Sequence, residues 1–175
     1  IIAPTVEAMA AAGTPYSGVL FAGLMLTTQG PKLIEYNCRF GDPECQVLMS
    51  RFEGDLVALM LAVAEGRLSE IEAPRFSPDT ALTVVMAAKG YPGTPEKGGE
   101  IDLSAVTEGK VFHAGTALQD GALVAHGGRV LAVTASGSSV SEAQAGAYRA
   151  VDAIAFPTGF CRRDIGWREV ARERG

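Results

Sequence analysis

The chain has 175 residues, of which 47% are hydrophobic and 20% charged, a composition typical of a folded globular protein that excludes disorder over most of its length. Its formal net charge of −5 argues against nucleic-acid binding, which usually requires a basic surface. No apolar stretch approaches the roughly 20 residues of a membrane-spanning helix, and the first residues show no secretory signal pattern. We therefore expect neither a nucleic-acid partner nor a membrane.

The three cysteines are Cys38, Cys45 and Cys161. Their number is odd and their spacings match no zinc-binding pattern, so we expect reduced thiols in a cytoplasmic protein. Because the chain begins at Ile1 and enters an Ala-rich helix almost at once, we expect it to be a piece of a longer protein.

The first elements of the chain are predicted to be a helix and a hairpin. Pro4 suits the first turn of a helix, which Gly13 would end. The apolar run 16–28 predicts a buried strand, and residues 32–40 predict a second strand. The short turn between them favours an antiparallel hairpin.

Two helices are predicted next. Asp42 is a good N-cap and Pro43 is favoured at the following position, so a helix is expected to start there. A second helix is predicted at residues 56–65, ended by Gly66. The composition of residues 72–78 is that of a domain boundary.

The second half of the chain is predicted to be rich in short strands. Gly-rich turns separate apolar runs at 81–88, 109–112, 122–126 and 130–135. A helix is predicted from about Ser141 to Ile154, because Ser141 and Gln144 have the capping-box spacing. The elements together predict an α+β fold.

The segment around residues 33–44 carries the clearest chemical pattern. Because side chains alternate along a strand, Glu35, Asn37 and Arg39 are expected to share one face. Carboxylate and amide oxygens suit Mg²⁺, and an Arg beside them suits a phosphoryl group or a carboxylate. The opposite face, expected to pack into a core, consists of Ile34, Tyr36, Cys38 and Phe40. A plain amphipathic strand shows the same alternation, so the pattern alone leaves both interpretations open.

The stretch EYNCRFGDPECQ, residues 35–46, resembles the signature of the glycinamide ribonucleotide synthetase family of ATP-grasp ligases. RFGDPE is its specific part, because the Glu-x-Asn pair alone is a weak signal. Several later stretches resemble the C-terminal domain of the same family, namely GYPG at 90–93, Lys97–Gly98, FHAGT at 112–116, GRVL at 128–131 and DIGWR at 164–168. The resemblance extends over essentially the whole chain.

This resemblance implies a domain organisation and a reaction. Residues 1–73 would be the C-terminal part of an ATP-grasp domain, and residues 74–175 a small β-rich domain of barrel-sandwich type. The family reaction, in de novo purine biosynthesis, joins glycine to 5-phosphoribosylamine. ATP phosphorylates the glycine carboxylate, and the amine then attacks the glycyl phosphate, giving glycinamide ribonucleotide, ADP and phosphate.

The resemblance also implies residue roles. Glu35 and Asn37 would be ligands of Mg²⁺, for which Mn²⁺ can substitute, and Arg39 would be catalytic by stabilising the transferred phosphoryl group. Asp42 and Glu44 would bind substrate. The alternative for these two carboxylates is to stabilise the start of a helix.

Two parts of the family enzyme have no counterpart in these residues: the domain that helps to hold phosphoribosylamine, and the Gly-rich loop with a Lys that grips the ATP phosphates. We therefore expect the chain alone to be inactive and to need the missing N-terminal half as its partner. The alternatives are another ATP-grasp carboxylate–amine ligase, or a non-catalytic binding fragment.

Two weaker patterns in the second half each have two interpretations. Residues 137–139 before a helix could hold a phosphate or simply cap the helix. The charged residues near the end of the chain could face a phosphate or form surface ion pairs; they are Arg162, Arg163, Asp164 and Arg168.

Overall fold

The computed structural model describes all of residues 1–175, which form two compact units. The first unit comprises Ile1–Cys45 and Glu53–Arg75, and the second comprises Gln46–Phe52 and Phe76–Gly175. No helix is both long enough and apolar enough to cross a lipid bilayer.

The elements of the first 76 residues are, in chain order, α1 (Ile2–Ala11), β1 (Phe21–Thr27), β2 (Gly30–Asn37), α2 (Glu44–Arg51), β3 (Phe52–Glu53), α3 (Leu56–Ala64), a 3₁₀ turn (Leu68–Glu70) and β4 (Arg75–Phe76). The predicted end of the first helix is confirmed, since Gly13 has a φ of 77° and donates its N–H to the carbonyl of Ala10. The predicted antiparallel hairpin of β1 and β2 is also confirmed.

The first strand begins at Phe21, five residues later than predicted. Gly18 has a φ of 134°, and the hydroxyl of Tyr16 donates to the carbonyl of Val19 at 2.5 Å. The segment before β1 therefore folds on itself, although its composition is typical of a strand.

A β-bulge interrupts the hairpin. Gly23 pairs with Glu35 and Leu24 pairs with Leu33, so Ile34 is an extra residue in β2. The prediction that the alternate face packs into a core is wrong for Ile34, which is 63% exposed, and for Cys38, which is exposed. The bulge takes Ile34 out of the alternation, and Cys38 lies in the bend after β2 has ended.

Tyr36 and Phe40, on the same predicted face, are half-buried. The hydroxyl of Tyr36 lies 2.5 Å from that of Thr5 and donates to the carbonyl of Ile1 at 3.2 Å. These bonds attach β2 to α1.

The next two helices differ in how well they match the prediction. Asp42 and Pro43 form a turn and α2 begins at Glu44, so Asp42 does not take the predicted N-cap position. The carbonyl that accepts the first helical bond is that of Gly41, from the N–H of Cys45 at 2.8 Å. In α3, by contrast, Asp55 caps the helix by accepting from the N–H of Ala58 at 3.0 Å.

The remaining elements are β5 (Thr80–Ala88), β6 (Lys110–His113), β7 (Thr116–Gln119), β8 (Ala122–Ala125), β9 (Arg129–Gly137), α4 (Val140–Ala153), β10 (Gly159–Cys161) and α5 (Trp167–Arg174). An antiparallel sheet has the strand order β10-β5-β9-β6, and β7 pairs with β8 in a separate hairpin. The four predicted strand runs are confirmed, whereas β7, β10 and α5 were not predicted.

The core of the second unit lies between the sheet and α4. Its most deeply buried side chains include Val84 of β5 and Leu131 and Val133 of β9. Small residues of α4, such as Ala143 and Ala147, are fully buried against them. The fold is mixed α/β, and no sheet closes into a barrel, so the barrel-sandwich description is not confirmed.

The N-cap of α4 is Ser139 rather than the predicted Ser141. Its hydroxyl accepts from the N–H of Glu142 at 3.1 Å, and the carboxylate of Glu142 in turn accepts from the N–H and the hydroxyl of Ser138. The predicted capping box is therefore wrong by two residues. The strand β9 continues to Gly137 and α4 begins at Val140, which places Ser139 at the N-cap position.

Candidate active site

The side chains of Glu35 and Asn37 meet on one face of β2. The amide Nδ2 of Asn37 donates to Oε1 of Glu35 at 3.1 Å. Glu35 is exposed and Asn37 half-buried, so a ligand in solution can reach both side chains. The predicted convergence of these two residues is therefore present in the fold.

The separation of these two groups fits a Mg²⁺ ion. Ligand oxygens at about 2.1 Å from Mg²⁺ in octahedral geometry lie about 3 Å apart when they are neighbours. Turning the Asn37 amide by half a turn would put Oδ1 where Nδ2 now lies, because the two ends of an amide have the same shape. The donor set, one carboxylate and one amide oxygen, also matches the hard oxygen ligands that Mg²⁺ prefers.

No group of three or more His, Cys, Asp or Glu side chains forms a possible metal site. Mg²⁺ in phosphate-transfer sites takes only one or two carboxylates and fills its other positions with water and phosphate oxygens. A pair such as Glu35 and Asn37 is therefore an appropriate protein contribution for that ion and an inadequate one for Zn²⁺.

Arg39 does not continue the strand face as predicted. The strand β2 ends at Asn37, and Arg39 lies in the bend that follows, exposed to solvent. Its Nη1 donates to the carbonyl of Phe40 at 3.0 Å. Because a guanidinium has five N–H donors, this one bond leaves donors that can bind an anion.

The carboxylates of Asp42 and Glu44 are both exposed, in the turn before α2 and at its first residue. The side chain of Glu44 folds back over Gly41 and fills the space that a Cβ on Gly41 would need. Glu44 also lies in the first turn of α2, where a negative charge is favourable, so the helix-stabilising interpretation suits it.

Two features of the first 75 residues were not predicted from the sequence. The amide oxygen Oε1 of Gln46, the last residue of the signature, is buried without a hydrogen-bond partner. An apolar cleft of about 490 Å³ lies in the first unit, where Phe40 and Ile71 face residues Leu56, Leu59 and Val63 of α3. Gln46 could have been singled out by its place in the signature, whereas the cleft has no local sequence signal.

In the second unit, the proposed phosphate position before α4 is filled by the protein itself. The carboxylate of Glu173 accepts from the N–H groups of Val140 and Ser141, at 2.6 and 3.0 Å. These bonds, with that from the hydroxyl of Ser141, lower the pKa of Glu173. Ser139 accepts from a further N–H group, so residues 137–139 act as a helix cap.

Three of the four charged residues singled out near the end of the chain form surface ion pairs. Arg162 binds the carboxylate of Asp164 through two nitrogens, at 2.9 and 2.6 Å, and this lowers the pKa of Asp164. Arg163 pairs with Asp152 at 2.5 Å. The ion-pair interpretation therefore describes Arg162, Arg163 and Asp164, whose pairs contribute little to stability because the groups are exposed. The guanidinium of Arg168 instead lies over the ring of Trp167, 5.4 Å from its centroid.

Two family profiles match the chain. The profile described as "Phosphoribosylglycinamide synthetase, C domain" matches residues 81–168, half of the chain. The profile described as "Phosphoribosylglycinamide synthetase, ATP-grasp (A) domain" matches residues 1–45, which include β2 and its polar pair.

The chain is similar to proteins named phosphoribosylamine–glycine ligase. It is 62% identical to that of Mesorhizobium japonicum and 52% identical to that of Escherichia coli, over 99% of the chain in both alignments. These alignments cover 41% and 42% of the relatives, so the chain spans about two fifths of their length.

A solved structure gives the same result. The crystal structure of phosphoribosylamine–glycine ligase from Thermotoga maritima matches with a TM-score of 0.79 and 40% identity, over 90% of this chain and 39% of that one. Sequence profiles, relatives and structure agree, and the chain belongs to the phosphoribosylglycinamide synthetase family.

Proposed function

We propose that this chain is the metal-binding and C-terminal portion of an ATP-dependent ligase that joins glycine to 5-phosphoribosylamine in purine biosynthesis. ATP would phosphorylate glycine, and the amine would displace phosphate from the glycyl phosphate to give glycinamide ribonucleotide. The observation that carries the proposal is the 3.1 Å contact of Glu35 with Asn37 within the family signature.

We propose that Glu35 and Asn37 hold Mg²⁺, or Mn²⁺ in its place. When bound, the ion would supply neutralisation of charge on the phosphate oxygens. Arg39 would stabilise the transferred phosphoryl group, for which the unused donors of its exposed guanidinium are suited. Asp42 and Glu44, whose carboxylates are exposed, would accept hydrogen bonds from a substrate.

The surface of α3 supports a need for further polypeptide. Its sequence, LVALMLAVA, is apolar on every side, yet Val57 is 75% exposed and Met60 59% exposed. A helix that is apolar all round is normally buried. We propose that the part of the family's length not spanned by this chain covers α3 and provides the nucleotide pocket.

The compartment follows from the same proposal. All three cysteines are free thiols, which are stable in the reducing environment of the cytoplasm. We propose that the ligase acts there.

The division of the chain at residues 73 and 74 stays a prediction.

The test is formation of ADP from Mg-ATP, measured with glycine and phosphoribosylamine together and with each omitted. The 175-residue chain is assayed alone and after mixing with the segment of the Mesorhizobium ligase that lies outside the matched two fifths. We expect ADP only in the mixture and only with both substrates.

The controls decide between the ligase and its alternatives. Mixing the same segment with Glu35→Gln chain should give little ADP. ADP formation with a carboxylic acid other than glycine would indicate a different carboxylate–amine ligase. A stable complex that forms no ADP with any substrate would favour a non-catalytic binding fragment.

A further inference from the structure

Gly23 lies directly opposite the proposed metal ligand Glu35 in the hairpin. A Cβ built on Gly23 would lie 3.4 Å from Cγ of Glu35 and 3.6 Å from its carbonyl oxygen. The side chain of Glu35 therefore lies across β1 at the one position of that strand that has no side chain.

Glycine is otherwise unfavourable at this position. A glycine within a strand weakens the strand, and it often marks a place where another group approaches closely. The atoms nearest to this position are Cγ and the backbone of Glu35, at ordinary contact distance from a built Cβ. A single methyl group at residue 23 would lie at ordinary contact distance from Glu35. Valine adds two further methyl groups to that carbon, and we expect them to crowd Cγ of Glu35.

The bulge at Ile34 lies next to the pair formed by Gly23 and Glu35. The register shift falls between Gly23 and Leu24, directly beside the Gly23–Glu35 pair. Bulges change the direction of neighbouring side chains and occur often beside active sites. The carboxylate of Glu35, beside this bulge, accepts a hydrogen bond from the amide of Asn37.

We propose that Gly23 is a positioning residue, which leaves room for Glu35 to lie across β1 and thereby sets the separation of the two metal-ligand side chains. The proposal rests on the metal site of the proposed function. It predicts that the size of the side chain at residue 23 controls affinity for the ion without direct contact with it.

The experiment measures Mn²⁺ binding to the 175-residue chain by paramagnetic broadening of backbone NMR signals near Glu35 and Asn37. This method detects weak binding and needs no activity. Gly23→Ala should bind nearly as the original chain does, and Gly23→Val should bind about 10-fold more weakly or worse, as is typical when a supporting residue of a metal site is changed. Ala22→Val is the matched control, because Ala22 pairs with Tyr36 and belongs to the other face of the hairpin.

The folding of each variant separates loss of positioning from loss of the hairpin. Thermal unfolding of every variant shows whether the hairpin remains folded.

The outcomes distinguish this proposal from the metal site on which it rests. If Gly23→Val binds Mn²⁺ as well as the original chain does, or if Ala22→Val weakens binding equally, the positioning role is wrong and the metal site stands. If the broadening in the original chain is unchanged by Glu35→Gln, the metal site itself is wrong, and the role of Gly23 with it.

Discussion

The carboxylate of Glu173 closes the amino end of α4 at Ser141. One oxygen accepts from the N–H of Val140, and the other accepts from both the N–H and the hydroxyl of Ser141, at 3.0 and 2.8 Å. The first turn of a helix has N–H groups without partners inside the helix, and a negative charge there also interacts favourably with the helix dipole. One side chain of α5 thus attaches that helix to α4.

This arrangement predicts a pH-dependent effect of Glu173→Gln. The hydrogen bonds from Val140 and Ser141 lower the pKa of Glu173 in the folded chain, so the carboxylate stabilises the fold above its unfolded pKa of about 4.3. That stabilisation is lost as the pH falls through the lower, folded pKa. At pH 7 the variant should have a lower melting temperature than the original chain. The difference between the two melting temperatures should shrink as the pH falls below about 4.

Thermal unfolding followed by circular dichroism from pH 3 to 7 checks this prediction. Glu169→Gln is the matched control, because Glu169 lies on the same helix and pairs with Arg172 on the surface. A difference in melting temperature for Glu173→Gln that stays constant across the pH range would contradict the proposed charge effect.

Tyr148→Phe tests the second attachment of the C-terminal segment. The hydroxyl of Tyr148 donates to the carbonyl of Arg162 at 2.8 Å and accepts from the N–H of Ile165 at 3.0 Å. Removing the hydroxyl leaves both backbone groups without this partner, so we expect the free energy of unfolding to fall by about 1–2 kcal/mol. Urea unfolding measures this free energy. The variant should also show faster hydrogen exchange at the amide of Ile165. Unchanged exchange at that amide would mean that water replaces the hydroxyl.

The capping of α4 can be tested by comparing two serines. Ser139→Ala removes the acceptor for the N–H of Glu142 and should cost about 1 kcal/mol, with faster amide exchange at Glu142. Ser141→Ala removes only the hydroxyl that bonds Glu173 and should leave the exchange of that amide unchanged. Faster exchange at Glu142 in Ser141→Ala, with no change in Ser139→Ala, would identify Ser141 as the cap.

The elements with a strong local pattern were predictable from the sequence, and the others depend on contacts distant along the chain. The apolar runs of β5 and β9 predict buried strands without knowledge of their neighbours. In α5 most residues are charged and Val170 alone is buried, so its position depends on Glu173 and other contacts with α4. No local pattern in the sequence of α5 indicates those contacts.

In the candidate site, too, some features were predictable from local sequence and others depend on contacts between strands. Alternation along β2 and the family signature were sufficient to predict the pairing of Glu35 with Asn37. The place of Gly23 depends on the register of two strands, and a single extra residue at Ile34 changes that register. Arg39 was assigned to the strand face because alternation was extended past Asn37, where the chain bends.

Glu35→Gln is the variant that most directly tests the proposed catalytic site. Glu35 is exposed, so replacing its carboxylate by an amide of the same size should leave the fold and its melting temperature nearly unchanged. In the mixture with the remaining ligase segment, the rate of ADP formation should fall by about 100-fold or more, because one charged ligand of the ion is lost. Glu7→Gln in α1, also exposed and remote in sequence from the signature, is the control and should retain the full rate. Raising the Mg²⁺ concentration should recover part of the lost rate if Glu35 binds the ion. A Glu35→Gln mixture that turns over as fast as the original would remove Glu35 from the site.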